Sequence, residues 1–360
     1  MSRGTTAVIN IKNLKHNFEV LKELAPGKLV LVVKADAYGH GLQKIVQALD
    51  DVDCFAVATI DEALIVRKYR PNVRVLLLEG FLDKYELQTA CKFKFDCVIH
   101  QQEQLNMFNE VLMNSPMNIW LKYDSGMNRL GFSEDEFEQA IILLDQHKNV
   151  DELILMSHLA SANEKNNTFN KKQADKFLKF NTNKNQLSFS NSSALLNKAY
   201  LPKEWCRVGL SLFGISPIEE KSASDFNLKP VMSLQTNIIA IKNVNKGETI
   251  GYGQTYTAKQ LMHIAIIGIG YGDGYPWALP ENTFVKIQNQ SAQIVGRVSM
   301  DMMTIDITQI KGCKIGDPVL IWGENENGHL PLETVANHAN SLAYVLLCQI
   351  TSRVHYHYVE

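Results

Sequence analysis

Short β-branched apolar runs alternate with helix-like stretches through the first ~215 residues. Eight such runs recur: LVLVV (29–33), CFAVA (54–58), VRVLLL (73–78), FDCVI (95–99), NIWLK (118–122), LILMSHL (153–159), QLSFS (186–190) and RVGLSLFG (207–214). Between them the spacing predicts helices, including DEALIVRKY after Thr59, EDEFEQAIILLDQH with Ser133 as a candidate cap, and one beginning near Leu42. Strands alternating with helices imply parallel β-α-β units. Eight of them within about 200–250 residues fit a closed (β/α)8 barrel of the TIM type better than an open sheet. An open dinucleotide-binding sheet would also want a glycine-rich turn after its first strand, and GIGYGDG at 268–274 comes far too late.

From Met232 the pattern changes. NIIAIKNV, HIAIIGIG, TFVKIQNQ, AQIVGRVSM, MTIDIT and VLIWG are short runs separated by Lys-Gly-Glu, Asn-Gln-Ser and Gly-Asp-Pro turns. Only LETVANHANSLAYVLL (332–347) reads as helical. A mainly β domain over 226–360 is expected after a barrel over 1–225, the boundary lying near the polar stretch 219–227. The first few residues are free to pack with the β domain. The Asn- and Lys-rich segment 163–186 keeps Phe169, Phe177, Leu178 and Phe180, so a solvated helix is expected there rather than disorder.

The remaining composition narrows the class. Across 360 residues, 36 Lys+Arg against 38 Asp+Glu give a net charge of −2, with no basic stripe for nucleic acid. No apolar run approaches the ~18 residues of a membrane span, and MSRGTTAVINIK lacks the apolar core of a secretory signal. Six cysteines without a C-x-x-C pair read as reduced thiols, with Cys54 and Cys348 expected in the core. A cytoplasmic enzyme acting on a small molecule is the expectation.

In barrels of this kind the active site is built at the C-terminal ends of the strands. Reading those ends in order gives Lys34, Thr59, Glu79, His100, Lys122 with Asp124, His158, Asn191 with Ser192, and Arg207 with Gly209. Lys34 follows five apolar residues directly. Such a lysine either reaches back to water or is buried with a depressed pKa suited to Schiff-base chemistry. His158 alone reads as a satisfied core histidine, Arg207 as a strand-end ion pair, and Ser192 equally as a helix N-cap or a phosphate ligand. No metal-ligand spacing occurs: there is no H-E-x-x-H, and His355 with His357 reads as a strand face.

Together these segments resemble the alanine racemases, pyridoxal-phosphate enzymes of fold type III. VVKADAYGHG resembles the family's cofactor-lysine segment, and KYDSGMNRLGF its substrate-arginine segment. SHLASAN, SNSSALL, RVGLSLFG, GIGYGDGYP, GRVSMDMM and AYVLLC follow in the family's order. The resemblance implies that Lys34 carries the cofactor and is the base for the D-enantiomer, with Tyr271 the base for the L-enantiomer. Arg129 and the Met300 backbone would bind the substrate carboxylate. Tyr38, Ser192, Tyr344, Gly209 and Leu210 would hold the phosphate, Arg207 would face the pyridine nitrogen, and His158 would contact Tyr271. Lys122 matches a position that is carbamylated in several members. The resemblance also implies a homodimer with shared sites, interconverting L- and D-alanine to supply D-alanine for peptidoglycan. Ser125, Asp36 and Ser299 stand where threonine, asparagine and cysteine or serine are common, and none has a catalytic role.

Two alternatives keep the same plan. One is a broader racemase, acting for example on serine. The other is a decarboxylase of basic amino acids, whose relatives place a carboxylate where this chain has Arg207. A non-catalytic cofactor carrier would resemble the barrel alone.

Overall fold

The computed structural model describes residues 3–360 apart from 113, 165, 183, 203, 220 and 281. By compactness the chain forms two units: 17–212 with 216–221, and 3–16 with 213–215 and 222–360.

The first unit contains a closed barrel of eight parallel strands: Lys28–Val32, Cys54–Val57, Arg74–Leu77, Asp96–Ile99, Met117–Lys122, Val150–Met156, Gln186–Ser188 and Trp205–Val208. Each lies on one of the eight apolar runs, or begins a few residues before it. Closure comes from the first strand pairing with the last, Lys28 opposite Trp205 and Leu31 opposite Val208. Their side chains are mostly buried, the exceptions lying at or near the starts of the strands, as expected of strands packed on both faces. Thr59 and Ser133 start helices Ile60–Tyr69 and Glu134–Asp145. In both, a glutamate three residues on turns back to the cap's backbone N–H. The polar segment near 170 forms helix Thr168–Leu178, with Phe177 and Phe180 buried and Phe169 exposed.

Polar groups close the end of the barrel where the strands begin. Asp96, the first residue of its strand, is 2% exposed and accepts from Trp120 Nε1 (2.8 Å), Asn118 Nδ2 (2.9 Å) and Arg74 Nε (2.5 Å). Arg74 also pairs with Glu152 at 2.7 Å. Burial pushes the Asp96 carboxyl up, and the Arg74 charge opposes it.

The second unit is built on an antiparallel-rich sheet around the long strand Met232–Val244, which pairs with Thr6–Asn10, Met262–Ile267 and Pro318–Asn325. Thr6–Asn10 also runs parallel to the C-terminal strand His355–Val359, which carries His355 and His357 on one exposed face. One expectation is met with a break and another fails here. Residues 332–347 form two helices, Leu332–His338 and Ala343–Cys348, with Asn340 at the break in left-handed backbone (φ +47°), a conformation that asparagine tolerates. Cys348 is exposed rather than in the core. No described helix is long and apolar enough to cross a membrane.

Candidate active site

Lys34 stands just past the end of the first barrel strand and is partly exposed, so of the two readings open to it the one that reaches toward water fits its burial. The four residues after it, Ala35, Asp36, Ala37 and Tyr38, all adopt left-handed backbone, with φ between +52° and +55°. For residues with a Cβ this costs about 1–2 kcal/mol each, so the surroundings must hold the turn. Ala35 N–H donates to Glu62 Oε1 (2.7 Å) and Leu42 N–H to Asp36 Oδ1 (2.6 Å). The buried His40 imidazole donates from Nδ1 to the carbonyls of Ala37 (3.0 Å) and Tyr38 (2.9 Å). Tyr38 is thereby turned inward, and its ring packs against Gly209. A Cβ on Gly209 would stand 2.5 Å from the Tyr38 hydroxyl, so only glycine leaves that backbone accessible.

Gly209 N–H donates to Ser192 Oγ at 3.0 Å. The cap of the short helix Ser192–Leu196 is Asn191, whose Oδ1 accepts from Ala194 N–H. Ser192 is thus released from capping. Leu210 follows Gly209 and opens a 3-10 turn. Tyr38, Ser192, Gly209 and Leu210 therefore gather at one side of the mouth.

Arg207 lies inside its strand, not at its head, and is 4% exposed without a carboxylate partner among its described contacts. Its guanidinium donates to Ser188 Oγ (2.6 Å), to the Ser157 carbonyl (2.7 Å) and to His158 Nδ1 (3.2 Å). Arginine cannot accept, so the His158 proton sits on Nε2. Burial, then the charges of Arg207, Lys122, Arg129 and Lys34, hold His158 well below the ordinary imidazole range, and it is neutral. Burial brings Arg207 down to about 10, still a cation at neutral pH.

Lys122 is 8% exposed, and burial together with Arg207 and Arg129 brings it down to about 8, against the weaker pull of Asp124. Arg129 is exposed at the rim of a narrow recess shared with Lys122, Asp124, Met127, Ser157 and His158. Four cations surround one mouth, an environment that favours anions.

The other strand-end residues have structural roles. Thr59 caps a helix, and the Glu79 carbonyl accepts from Gln104. Asp124 accepts from the N–H groups of Gly126 and Asn128. His100 is buried and held below its ordinary value, first by burial and then by Lys122.

Tyr271, Met300 and Tyr344 belong to the β unit. Tyr271 opens a tight turn in which Tyr271 N–H donates to Ser299 O (3.1 Å) and Gly272 N–H to Met300 O (2.9 Å). The fully buried Asp273 carboxylate fixes that turn: it accepts from Gly270 N–H (3.0 Å) and pairs with Arg3 (2.8 Å) and Arg353 (3.3 Å). Tyr271 and Met300 thus share one braced platform. Tyr271 is 42% and Met300 52% exposed, and Tyr344 sits in the first turn of its helix. Sequence reading passed over His40, Glu62, Ser157, Ser188 and the Arg3–Asp273–Arg353 brace. Only His40 had a nearby signal, the Gly-His-Gly ending of the lysine segment.

The buried imidazoles set an acid limit on stability. Burial lowers His40 to about 4, whereas an unfolded histidine titrates near 6.5. Between those values only the unfolded chain takes up the proton, so stability is complete above pH ~6.5 and falls as pH drops toward 4. His158 acts in the same direction. Urea midpoints at pH 7 and 4.5 should differ, and His40→Asn should reduce that difference. A variant with the full wild-type difference would show that other groups carry it.

The alanine racemase N-terminal domain profile matches residues 9–217, and the family's C-terminal domain profile matches 231–358. The biosynthetic alanine racemase of Escherichia coli K12 is 40% identical, with 99% of this chain and 100% of that protein covered. The crystal structure of the biosynthetic alanine racemase of Pseudomonas aeruginosa superposes with a TM-score of 0.96 at 38% identity, covering 99% and 100% of the two chains. The alanine racemase of Bartonella henselae, solved with covalently bound pyridoxal phosphate, gives 0.89 at 26% identity and covers 99% of each chain. With both domain profiles matched along nearly its whole length, the chain belongs to the alanine racemase family.

Proposed function

We propose that the chain interconverts L- and D-alanine with pyridoxal phosphate held covalently by Lys34. The observation that carries this reading is the meeting, at one barrel mouth, of Lys34, the Tyr38–Ser192–Gly209 cradle and the Arg207–His158 pair. The donor set fits the group. Hydroxyls of Tyr38 and Ser192 with the bare backbone at Gly209 and Leu210 suit a phosphate, and four cations suit an anionic cofactor and a substrate carboxylate. Tyr344 is proposed as a further phosphate ligand.

When bound, pyridoxal phosphate supplies an electron sink for the pair left behind as the α proton departs. The protein does the rest. Arg207, charged and already donating to Ser188, Ser157 and His158, can offer a hydrogen bond to a ring nitrogen without giving up a proton. A carboxylate there would instead favour protonation of that nitrogen and deepen the sink, which suits decarboxylation and transamination. Arg207 therefore speaks against the decarboxylase alternative. Arg129, with the Met300 backbone, orients the substrate carboxylate. Lys34 and Tyr271 take and return the α proton on opposite faces, each acting as base in one direction and acid in the other.

Lys122 is proposed to be carbamylated. An amine brought down to about 8 is still mostly a cation at neutral pH, but its neutral fraction, the form that adds to carbon dioxide, is far larger than that of an ordinary lysine. The product would put a negative charge beside Arg129 and relieve the crowding of cations. Native mass should show one added carbon dioxide, lost on acid treatment. An unmodified Lys122 in active enzyme would remove this part.

We further propose a cytoplasmic homodimer in which Tyr271 and Met300 serve the partner's Lys34. Their exposure, with that of Met302, Leu342 and Val345, leaves apolar surface on the β unit that association would cover. The function is tested by assaying racemisation across a panel of L-amino acids, with purified protein and added pyridoxal phosphate. Alanine should be turned over at a kcat/KM at least about tenfold above serine, the kind of discrimination expected for a site closed around a methyl side chain. Comparable rates would favour the broad-specificity alternative, and carbon dioxide release from lysine or arginine would favour the decarboxylase.

A further inference from the structure

We propose that His40 and Glu62 are positioning residues that hold the left-handed turn Ala35–Tyr38, and through it set Tyr38 against Gly209 while Lys34 points from the strand end. This rests on the reading that Lys34 and Tyr38 hold the cofactor.

Asp36 tolerates φ > 0, but Ala35, Ala37 and Tyr38 have no preference for it, so a run of four such residues needs support from outside. The two clamps act at its two ends. At the start, the Glu62 carboxylate accepts from Ala35 N–H (2.7 Å) and, in the same grip, from Ala58 (3.0 Å) and Thr59 (3.3 Å), tying the first strand's exit to the second's. At the finish, His40 has no exposed surface, and its Nδ1 proton is shared between the carbonyls of Ala37 and Tyr38. Two successive left-handed residues turn their carbonyls toward the same side, and a single buried donor can satisfy both. Asp36 fastens the turn to the following helix through Leu42 N–H. Were the turn to relax to right-handed backbone, Tyr38 would leave Gly209 and its hydroxyl would leave the Ser192 side of the mouth.

The roles follow from chemistry. A neutral imidazole with its proton on Nδ1 is a rigid donor, and a carboxylate can serve three amide donors at once. Neither residue is assigned contact with substrate or cofactor. Each acts through Lys34 and Tyr38.

The test measures cofactor affinity and the turn itself, both separable from turnover. Apo-protein is titrated with pyridoxal phosphate while the visible absorbance of the lysine-bound form is followed. Amide hydrogen exchange is recorded on the same apo samples. His40→Ala and Glu62→Ala should weaken affinity at least tenfold and speed exchange at Ala37, Gly41 and Leu42. His40→Asn, which retains a donor, and Glu62→Gln, which retains an acceptor, should recover part of both losses. Leu144→Ala, in the buried face of helix Glu134–Asp145, is the control for general loss of stability, and it should leave affinity and turn exchange unchanged. Wild-type affinity and wild-type turn exchange in His40→Ala and Glu62→Ala would overturn the proposal. So would losses no larger than those of Leu144→Ala. If the wild-type protein gives no lysine-bound absorbance at all, the underlying cofactor reading fails instead, and the proposal falls with it.

Discussion

Tyr271→Ala should slow α-proton abstraction from L-alanine by about 10²–10⁴ while leaving abstraction from D-alanine largely intact, the range typical of losing one general base. The asymmetry follows from the proposed division of labour, in which Lys34 is the base on one face of the planar centre and Tyr271 the base on the other. His158, neutral with its proton on Nε2, is proposed to donate toward the Tyr271 oxygen and stabilise it when deprotonated. The measurement is single-turnover exchange of the α hydrogen in D₂O, one enantiomer at a time, with loaded enzyme in excess. Equal losses for both enantiomers would mean that one base or a water serves both faces.

Lys34→Ala and Tyr271→Phe should each be inactive alone and recover activity when mixed under conditions that exchange subunits. If sites are shared, a heterodimer has one site with both defects and one with neither. Random reassortment then restores about a quarter of the wild-type sites. The exposure of Tyr271 and Met300, with that of Met302, Leu342 and Val345 on the same unit, motivates this expectation. No recovery after verified subunit exchange would place both bases within one chain.

How much of this was legible depended on whether the signal was local. The barrel strands were read because each buried strand falls on a largely apolar run, and Ser133 was read as a cap; the glutamates three residues beyond Thr59 and Ser133, which complete both caps, were not used. Residues 332–347 were read as helical, but the break was not seen because their apolar spacing continues across Asn340, a left-handed residue between the two helices. The strand Thr6–Asn10 is short and finds both partners far along the chain, at 232–235 and 355–359. Lys34 and Ser192 were marked by their places just past strand ends, Arg207 by the last apolar run, which it was read as heading although it lies inside its strand, and Tyr38 by the resemblance alone. That Asn191 rather than Ser192 caps its helix could not be decided from two adjacent capping residues. The turn at 35–38 was invisible, since alanine and tyrosine carry no preference for its backbone and the groups that impose it include Glu62. The Arg3–Asp273 pair spans 270 positions, beyond any local pattern.

The most direct test of the account is where the cofactor attaches. Loaded protein is reduced with borohydride, digested, and the modified peptide identified by mass. The account predicts one pyridoxyl group per chain, on Lys34 within VVKADAYGHG, and a Lys34→Ala protein that is colourless and unlabelled under the same treatment. A label on Lys122 or any other lysine, or a protein that takes up no pyridoxal phosphate, would contradict it.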